Sequence, residues 1–468
     1  MAKNLIIKKE IGIIKKSIIK KEIIMAKKII VLALCAFFCS VSAKAQFDSV
    51  FHLESKYYYH EKGKPIVRFS KSTGVRISYF EKDFHGVFTM FDLGGFSRSI
   101  DLPFGHYVYD FEILDDHIYF CGEKVNSSTN SSAFVGKFDF NSFVFNQVSV
   151  QMSIDTFYLD RDTYWLNKMI VYDYLNPISQ EVKQIVMAVG YGEDIGTVNN
   201  NGIDFFIAED IANHLAWIDT FPNERYHDII VTNDYVILAG IRLYPYFNNT
   251  IAFRKISKTN PISSCKDTLY YCDLPHYEPG TFIVGEHIIG WNNFVTATFA
   301  NINGKDGTII REYKADDMQM VNSQFIPSQW EKTQPFELKD MQKNKLLLLQ
   351  GSTDGTEALV FHLNLSQNSN YSSIYESYQR WDCHSIDRYI SNKYIAAGIS
   401  ATNPAFYIKD CLSSNKIPCI TRKDIDIENT PNYTLTNIQS PMGYGFQYSR
   451  KIDVLYSHDN INIIIDCQ

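Results

Sequence analysis

Two stretches of this chain, Asp110–Phe138 and Asp228–Ile256, repeat one pattern that leaves few folds open. In the second, Asp228–Val231 is an apolar run, Thr232-Asn233-Asp234 a turn, and Tyr235–Ile241 a second run carrying Ala239-Gly240. A polar and aromatic loop, Arg242–Thr250, leads to a third run, Ile251–Ile256. The first stretch follows the same plan with Phe111–Leu114, Asp115-Asp116, Ile118–Gly122, a loop to Ser132, and Ala133–Phe138. In both, an Asp stands twelve positions before the Gly, and the third run opens near an Ala-Phe pair. Short apolar runs punctuated by turn residues are the pattern of consecutive β-strands.

Looser copies extend the pattern along the chain. They begin at Ile66, Ile170, Ile288, Leu338 and Ile386, and a last one is read in Gly443–Tyr448, Ile452–Tyr456 and Ile461–Asp466. Helical periodicity is nearly absent after residue 46, and 30 Tyr and 32 Phe stand beside many Ile, Val and Thr, all strand formers. A lone three- or four-stranded sheet leaves a face in water. Stacking several around an axis buries both faces and leaves only short edges. The expected fold class is therefore all-β, a β-propeller forming a single domain over residues 46–468. Units roughly 45–65 residues apart favour seven blades, with six or eight also compatible. The first and last units are expected to share one blade and close the ring.

At this point the chain resembles a known group. Val231–Gly240 followed by Ala252-Phe253-Arg254-Lys255-Ile256 looks like the repeat of secreted bacterial β-propellers, in which a strand ending in Gly precedes a variable loop and an Ala-apolar-x-Arg/Lys strand. Departures are visible. Each unit carries one Gly rather than a pair, Trp381-Asp382 is a single dipeptide, and Ser352-Thr353-Asp354-Gly355 lacks the Trp of a sialidase-type Asp box.

Residues 1–45 read as an upstream extension and a secretory signal peptide. Lys27-Lys28 precede an apolar run, Ile29–Val41, and Ala43-Lys44-Ala45 is a small-x-small cleavage site before Gln46. That run is too short to span a bilayer, and no later stretch is apolar enough. The segment holds 10 of the 45 Lys and Arg and 2 of the 52 Asp and Glu, which leaves 35 basic against 50 acidic side chains. An acidic mature chain argues against nucleic acid as a partner. Export, to the periplasm, the outer membrane or the medium of a Gram-negative bacterium, permits disulfides. Cys265 with Cys272, and Cys411 with Cys419, are near enough to close small loops, whereas Cys121 inside an apolar strand reads as a buried free thiol.

Candidate binding residues fall in two groups. Asp110, His227, Asp228, Asp340, His384 and Asp387 open the first strand of their units, which in a propeller lines the central channel. Converging there, they would suit a cation, a cationic group or a sugar. The plainer alternative is that each Asp bonds the backbone of its own turn. The second group is Tyr244, Tyr246 and Phe247 in the loop after Gly240, where exposed rings can stack on sugars or apolar groups. An Asn-rich loop, Asn199-Asn200-Asn201-Gly202, lacks the register of a calcium loop and suits a plain turn, so no cofactor is expected.

The sequence has no G-x-S-x-G elbow, no H-E-x-x-H and no P-loop. The reading is an exported, monomeric binding or interaction module for a protein or glycan. The alternative is a carbohydrate-active hydrolase or lyase that uses acids at the channel mouth.

Overall fold

The structure is a computed structural model. It describes residues 49–467 apart from connecting segments, the longest being 55–64, 141–148, 194–202, 243–249, 259–268, 273–281, 285–292, 411–419 and 439–446. Side-chain surroundings are described chiefly within 65–140, 152–192, 226–258 and 293–327. The signal peptide expected in residues 1–45 lies outside the described residues.

Among the described residues every secondary-structure element is a β-strand. The first, β1, is Ser49–Glu54. A four-stranded unit follows: β2 (Ile66–Phe69), β3 (Arg76–Lys82), β4 (His85–Phe91) and β5 (Ser97–Asp101). Next come β6 (His106–Leu114), β7 (His117–Ser127), β8 (Asn130–Asp139) and β9 (Ser149–Tyr158). The third unit is β10 (Thr163–Leu175), β11 (Val182–Glu193), β12 (Ile203–Asp210) and β13 (Leu215–Phe221). The fourth is β14 (Glu224–Val231), β15 (Tyr235–Arg242), β16 (Thr250–Ser257) and β17 (Leu269–Cys272). Then β18 (Phe282–Val284), β19 (Asn293–Ile302), β20 (Lys305–Lys314) and β21 (Met320–Pro327) precede β22 (Thr333–Gln342), β23 (Lys345–Ser352), β24 (Ala358–Asn364) and β25 (Tyr371–Tyr375). A last hairpin set, β26 (Trp381–Arg388), β27 (Lys393–Ser400) and β28 (Asn403–Asp410), leads into β29 (Ile420–Asp424), β30 (Glu428–Asn429), β31 (Thr436–Ile438), β32 (Gln447–His458) and β33 (Asn462–Cys467).

Within each unit the strands pair antiparallel in chain order. The set β26–β28 takes its fourth strand from the other end of the chain, since Phe51 of β1 lies opposite Phe406 of β28. The segment Ser49–Glu54, which precedes the first repeat unit read in the sequence, thus completes this sheet. The first strands also follow one another in space: β2 lies against β6, β6 against β10, β10 against β14, β14 against β18, β18 against β22, β22 against β26, and β26 returns to β2. This is the arrangement of a β-propeller.

Packing follows from the period-two alternation of each strand. On β7, Ile118 and Phe120 join the cluster shared with β3 and β4, where Phe88 meets Phe111, Phe120 and Phe138 edge to face. Tyr119 and Cys121, on the opposite face, pack with Leu166, Met169, Val186 and Ala188 of the next unit. On β15, Val236 and Leu238 face one neighbour while Ile237 and Ala239 face the other. Both faces of these sheets are therefore buried, and the apolar runs of the sequence are nearly continuous for that reason.

The chain end departs from expectation. Residues Gly443–Asp466 do not form a repeat unit. After β28 the chain lays single strands on the outer edges of sheets already complete: β29 on β25, β30 on β21, β31 on β17 and β33 on β1. The long β32 pairs with β9 over Gln447–Tyr456 and with β5 through Ser457 and His458, which joins two units into one nine-stranded sheet. Outer edge strands carry unpaired backbone groups, and this belt covers them. Among the described residues no helix is long and apolar enough to cross a membrane.

Candidate functional site

The first strand of most units contains a β-bulge, and the bulge explains the Asp–Gly spacing read in the sequence. On β6 the register skips Tyr109: Val108 faces Gly122, and Asp110 faces Cys121. The same skip falls at Asn167 on β10, His227 on β14 and His384 on β26, with Gly190, Gly240 and Gly398 facing the residue before it. On β22 the skipped residue is Phe336, and Gly351 sits one position farther along. The bulge swings the first strand toward its neighbour. A Cβ at Gly122 would land on the carbonyl oxygen of Tyr107, so close backbone approach is what the glycine permits here.

Directly after the bulges lies a layer of charge. Asp110 is buried at 1% exposure and Arg68 of β2 at 4%, and the Arg68 guanidinium donates to Asp110 Oδ1 at 2.7 Å. The same nitrogen lies 3.1 Å from Oε1 of Glu337 on β22. Lys168 of β10 reaches both acids, 3.5 Å from Asp110 and 3.3 Å from Glu337. Because β10 and β22 are not neighbours among the inner strands, this contact spans the space they enclose.

The carboxylates also tie one inner strand to the next. Asp110 Oδ2 accepts from the backbone N–H of Met169 on β10. Glu337 Oε2 accepts from Ile386 N–H at 2.7 Å and from the Ser385 hydroxyl, both on β26. Asp387 of β26 accepts from Phe69 N–H on β2 at 2.7 Å. Ser385 Oγ in turn accepts from Val67 N–H and from Arg68.

Burial works against the charge of Arg68, yet Glu337, Asp110, Glu112 and Asp387 outweigh it and hold the guanidinium above its ordinary value. Lys168 shows the same balance. Burial lowers its affinity for the proton, while Asp110, Glu337 and Asp228 raise it further, so the ammonium is held above its ordinary value. A lysine held this way is a fixed cation rather than a neutral base or nucleophile near pH 7. Its side chain is 22% exposed, against 5% for Arg68 and 1% for Asp110.

The sequence-predicted residues divide accordingly. Asp110 is neither open to a ligand nor bound to its own turn; it sits between two cations from other units. Asp228 is buried and accepts from the next residue's N–H, Ile229, at 2.9 Å, the ordinary local bond. Asp387 bonds the backbone of β2, and His227 and His384 occupy bulges. Asp340 lies on β22 opposite Leu346. Tyr244, Tyr246 and Phe247 lie outside the described residues, as do Cys265, Cys411 and Cys419, while Cys272 is placed by its backbone on β17. Cys121 is a buried free thiol, as its strand setting implied. Among the described residues no three His, Cys, Asp or Glu are placed to hold a metal ion. Sequence reasoning missed Arg68, Lys168, Glu337 and Ser385. The available signal was the first-strand position itself, which holds Asp in two units and Lys, Glu or Ser in others.

Above this layer, toward the Gly-bearing ends of the second strands, Tyr109 Oη donates to Glu123 Oε2 at 2.6 Å. Burial, then the Glu123 charge and this bond, then Glu81, keep the Tyr109 hydroxyl protonated far above the ordinary phenol range.

No protein family matches the sequence, and no curated protein matches it. Solved structures do align. The polysaccharide lyase Uly1 aligns with a TM-score of 0.39 at 8% identity, covering 76% of this chain and 93% of the lyase. Drosophila Semaphorin 2a aligns at 0.42 and 8% identity, covering 78% of this chain and 75% of that one. A fructofuranosidase from Schwanniomyces occidentalis complexed with fructosylnystose gives 0.19 at 9% identity, covering 81% and 96%. The fold of this chain accordingly rests on its own strand order and packing.

Proposed function

We propose that this chain is an exported, seven-bladed β-propeller that serves as a non-catalytic binding module for a protein or glycan. One observation carries the functional part. The acids nearest the axis, Asp110 and Glu337, are engaged by Arg68 and Lys168 and by backbone N–H groups of neighbouring inner strands. Carboxylates committed in this way hold blades together. A pair of glycosidase acids needs instead one raised and one ionised group facing a substrate. The blade count is supported by the succession of first strands from β2 to β26 and back, with β1 completing the last sheet.

Residues 1–45 act, in this reading, as extension and cleaved signal, and the mature module begins at Gln46 and works as a monomer. Expression of the full chain in a Gram-negative host tests this part: recovery outside the cytoplasm with Gln46 at the N-terminus is expected, and retention of Met1 or Met25 on a cytoplasmic product overturns it. The binding assignment is tested by incubating the purified protein with a panel of polysaccharides. Retention without cleavage products is expected. Turnover that disappears in Asp110→Asn while the fold persists would establish the enzymatic alternative.

A further inference from the structure

Among the described residues, the belt reaches the outer strand of every unit but one. The exception is β13 (Leu215–Phe221), at which the sheet of the third unit ends. The units on either side are covered, β9 by β32 and β17 by β31. β13 also lacks what usually guards an edge. Its sequence, Leu-Ala-Trp-Ile-Asp-Thr-Phe, holds neither Lys nor Pro. It pairs with β12 without a bulge, from Asp204 with Phe221 to Asp210 with Leu215. The belt itself is short of residues for this edge. Its crossing from β29 to β30 takes residues 425–427, and that from β30 to β31 takes 430–435. Residues 439–446 link β31 to β32 and have two such crossings to serve. They include Pro441, Gly443 and Gly445, which suit a strand poorly.

A repeat within the chain shows what fits such an edge. Ile218-Asp219-Thr220-Phe221 of β13 has the same sequence as Ile154-Asp155-Thr156-Phe157 of β9. The two copies hold the same place in their sheets, with Thr156 opposite Phe134 of β8 and Thr220 opposite Phe205 of β12. The β9 copy is covered by an antiparallel strand: Ile154, Asp155, Thr156 and Phe157 stand opposite Lys451, Arg450, Ser449 and Tyr448 of β32. An acidic position is thus opposite a basic one, and Thr opposite Ser, pairings that favour this register. From this repeat we infer that β13 is a docking edge for an extended segment of a partner protein, which adds an antiparallel strand with Arg or Lys opposite Asp219. Main-chain hydrogen bonds along the edge supply the affinity, and the charge opposite Asp219 sets the register. The inference rests on the binding-module reading and names its partner class and site.

The probe is a labelled peptide with the sequence of residues 447–453, added to the full chain, whose own β32 already occupies β9. Saturable binding is expected, with slower amide exchange in residues 215–221 once the peptide is bound. Asp219→Lys should weaken binding about tenfold, and the same peptide with Arg450→Glu should regain it on that variant, which shows that the variant is folded. Equal binding of both peptides to both proteins overturns the charge rule and with it the partner chemistry. Exchange in residues 215–221 of the free chain as slow as in β9, with no peptide bound, gives the edge to the chain's own residues and overturns the inference. Dimers in sedimentation velocity, with exchange in 215–221 slowing as protein concentration rises, give the edge to a second copy and overturn it as well. Retention of a polysaccharide by a chain that binds no peptide overturns the inference and leaves the binding-module reading standing.

Discussion

At the scale of single residues, the decisive contrast is between charges inside the ring of first strands and charges on its surface. Asp110 neutralises two cations and accepts a backbone N–H, all while buried. Asp110→Asn keeps the shape and removes the charge, so Arg68 and Lys168 lose one of the two carboxylates that both of them contact. Breaking a buried pair in this way typically costs 3–5 kcal/mol, and a loss of about 3 kcal/mol is expected from the urea unfolding midpoint. Lys305 and Glu428 make a shorter contact, 2.6 Å, but are 59% and 44% exposed. Lys305→Ala should cost less than about 0.5 kcal/mol. Titration adds a second expectation. The folded values of Lys168, Cys121 and Tyr109 all lie above their ordinary values of 10.5, 9.0 and 10.0. Each group therefore contributes fully below its ordinary value and loses that contribution as pH rises toward the folded one. The unfolding midpoint is expected to hold level from pH 7 to about 8.5 and to fall from about pH 9 upward, with a shallower fall in Tyr109→Phe. Asp110 itself was legible in the sequence, from its distance to Gly122. Its partners were not, because Arg68 and Glu337 belong to other units, and no local pattern encodes a contact across an axis.

At the scale of elements, the repeat was legible because strand alternation and turn residues are local. The bulge was half legible. An Asp twelve residues before a Gly would, in a plain hairpin that pairs Asp110 with Cys121, set Gly122 opposite Tyr109, whereas the bulge sets it opposite Val108. The sequence showed the spacing without its cause. The cause is a close approach of backbones, and it separates two kinds of glycine. Gly304 has φ +80° with open space around its Cβ position, whereas at Gly122 a Cβ meets the Tyr107 carbonyl. Gly304→Ala is expected to cost about 1 kcal/mol from the left-handed backbone alone. Gly122→Ala should cost about 3 kcal/mol, since the bulged strand must move. Comparative urea unfolding decides the order, and a smaller loss at Gly122 would mean that the bulge relaxes readily.

At the scale of the whole molecule, the sequence led to one wrong expectation with a physical origin. The segment from Gly443 onward has the same apolar runs as a repeat unit, and a strand that covers an edge needs the same residues as a strand inside a sheet. Composition therefore cannot distinguish a belt from a blade; only the pairing does. The belt and β1 do different work. β1 completes the sheet of β26–β28, and β33 then covers β1, while β32 ties β9 to β5. A graded truncation separates these roles. Removing residues 459–468 uncovers β1 alone and should lower the melting midpoint modestly while the chain stays monodisperse. Removing residues 447–468 also uncovers β5 and β9, the latter paired with β32 from Gln447 to Tyr456. Three adjoining edges are then open to other chains. Self-association in sedimentation velocity is expected for this second truncation. A second truncation that stays monodisperse with an unchanged midpoint would mean that β2–β9 hold together through the aromatic cluster around Phe88 alone.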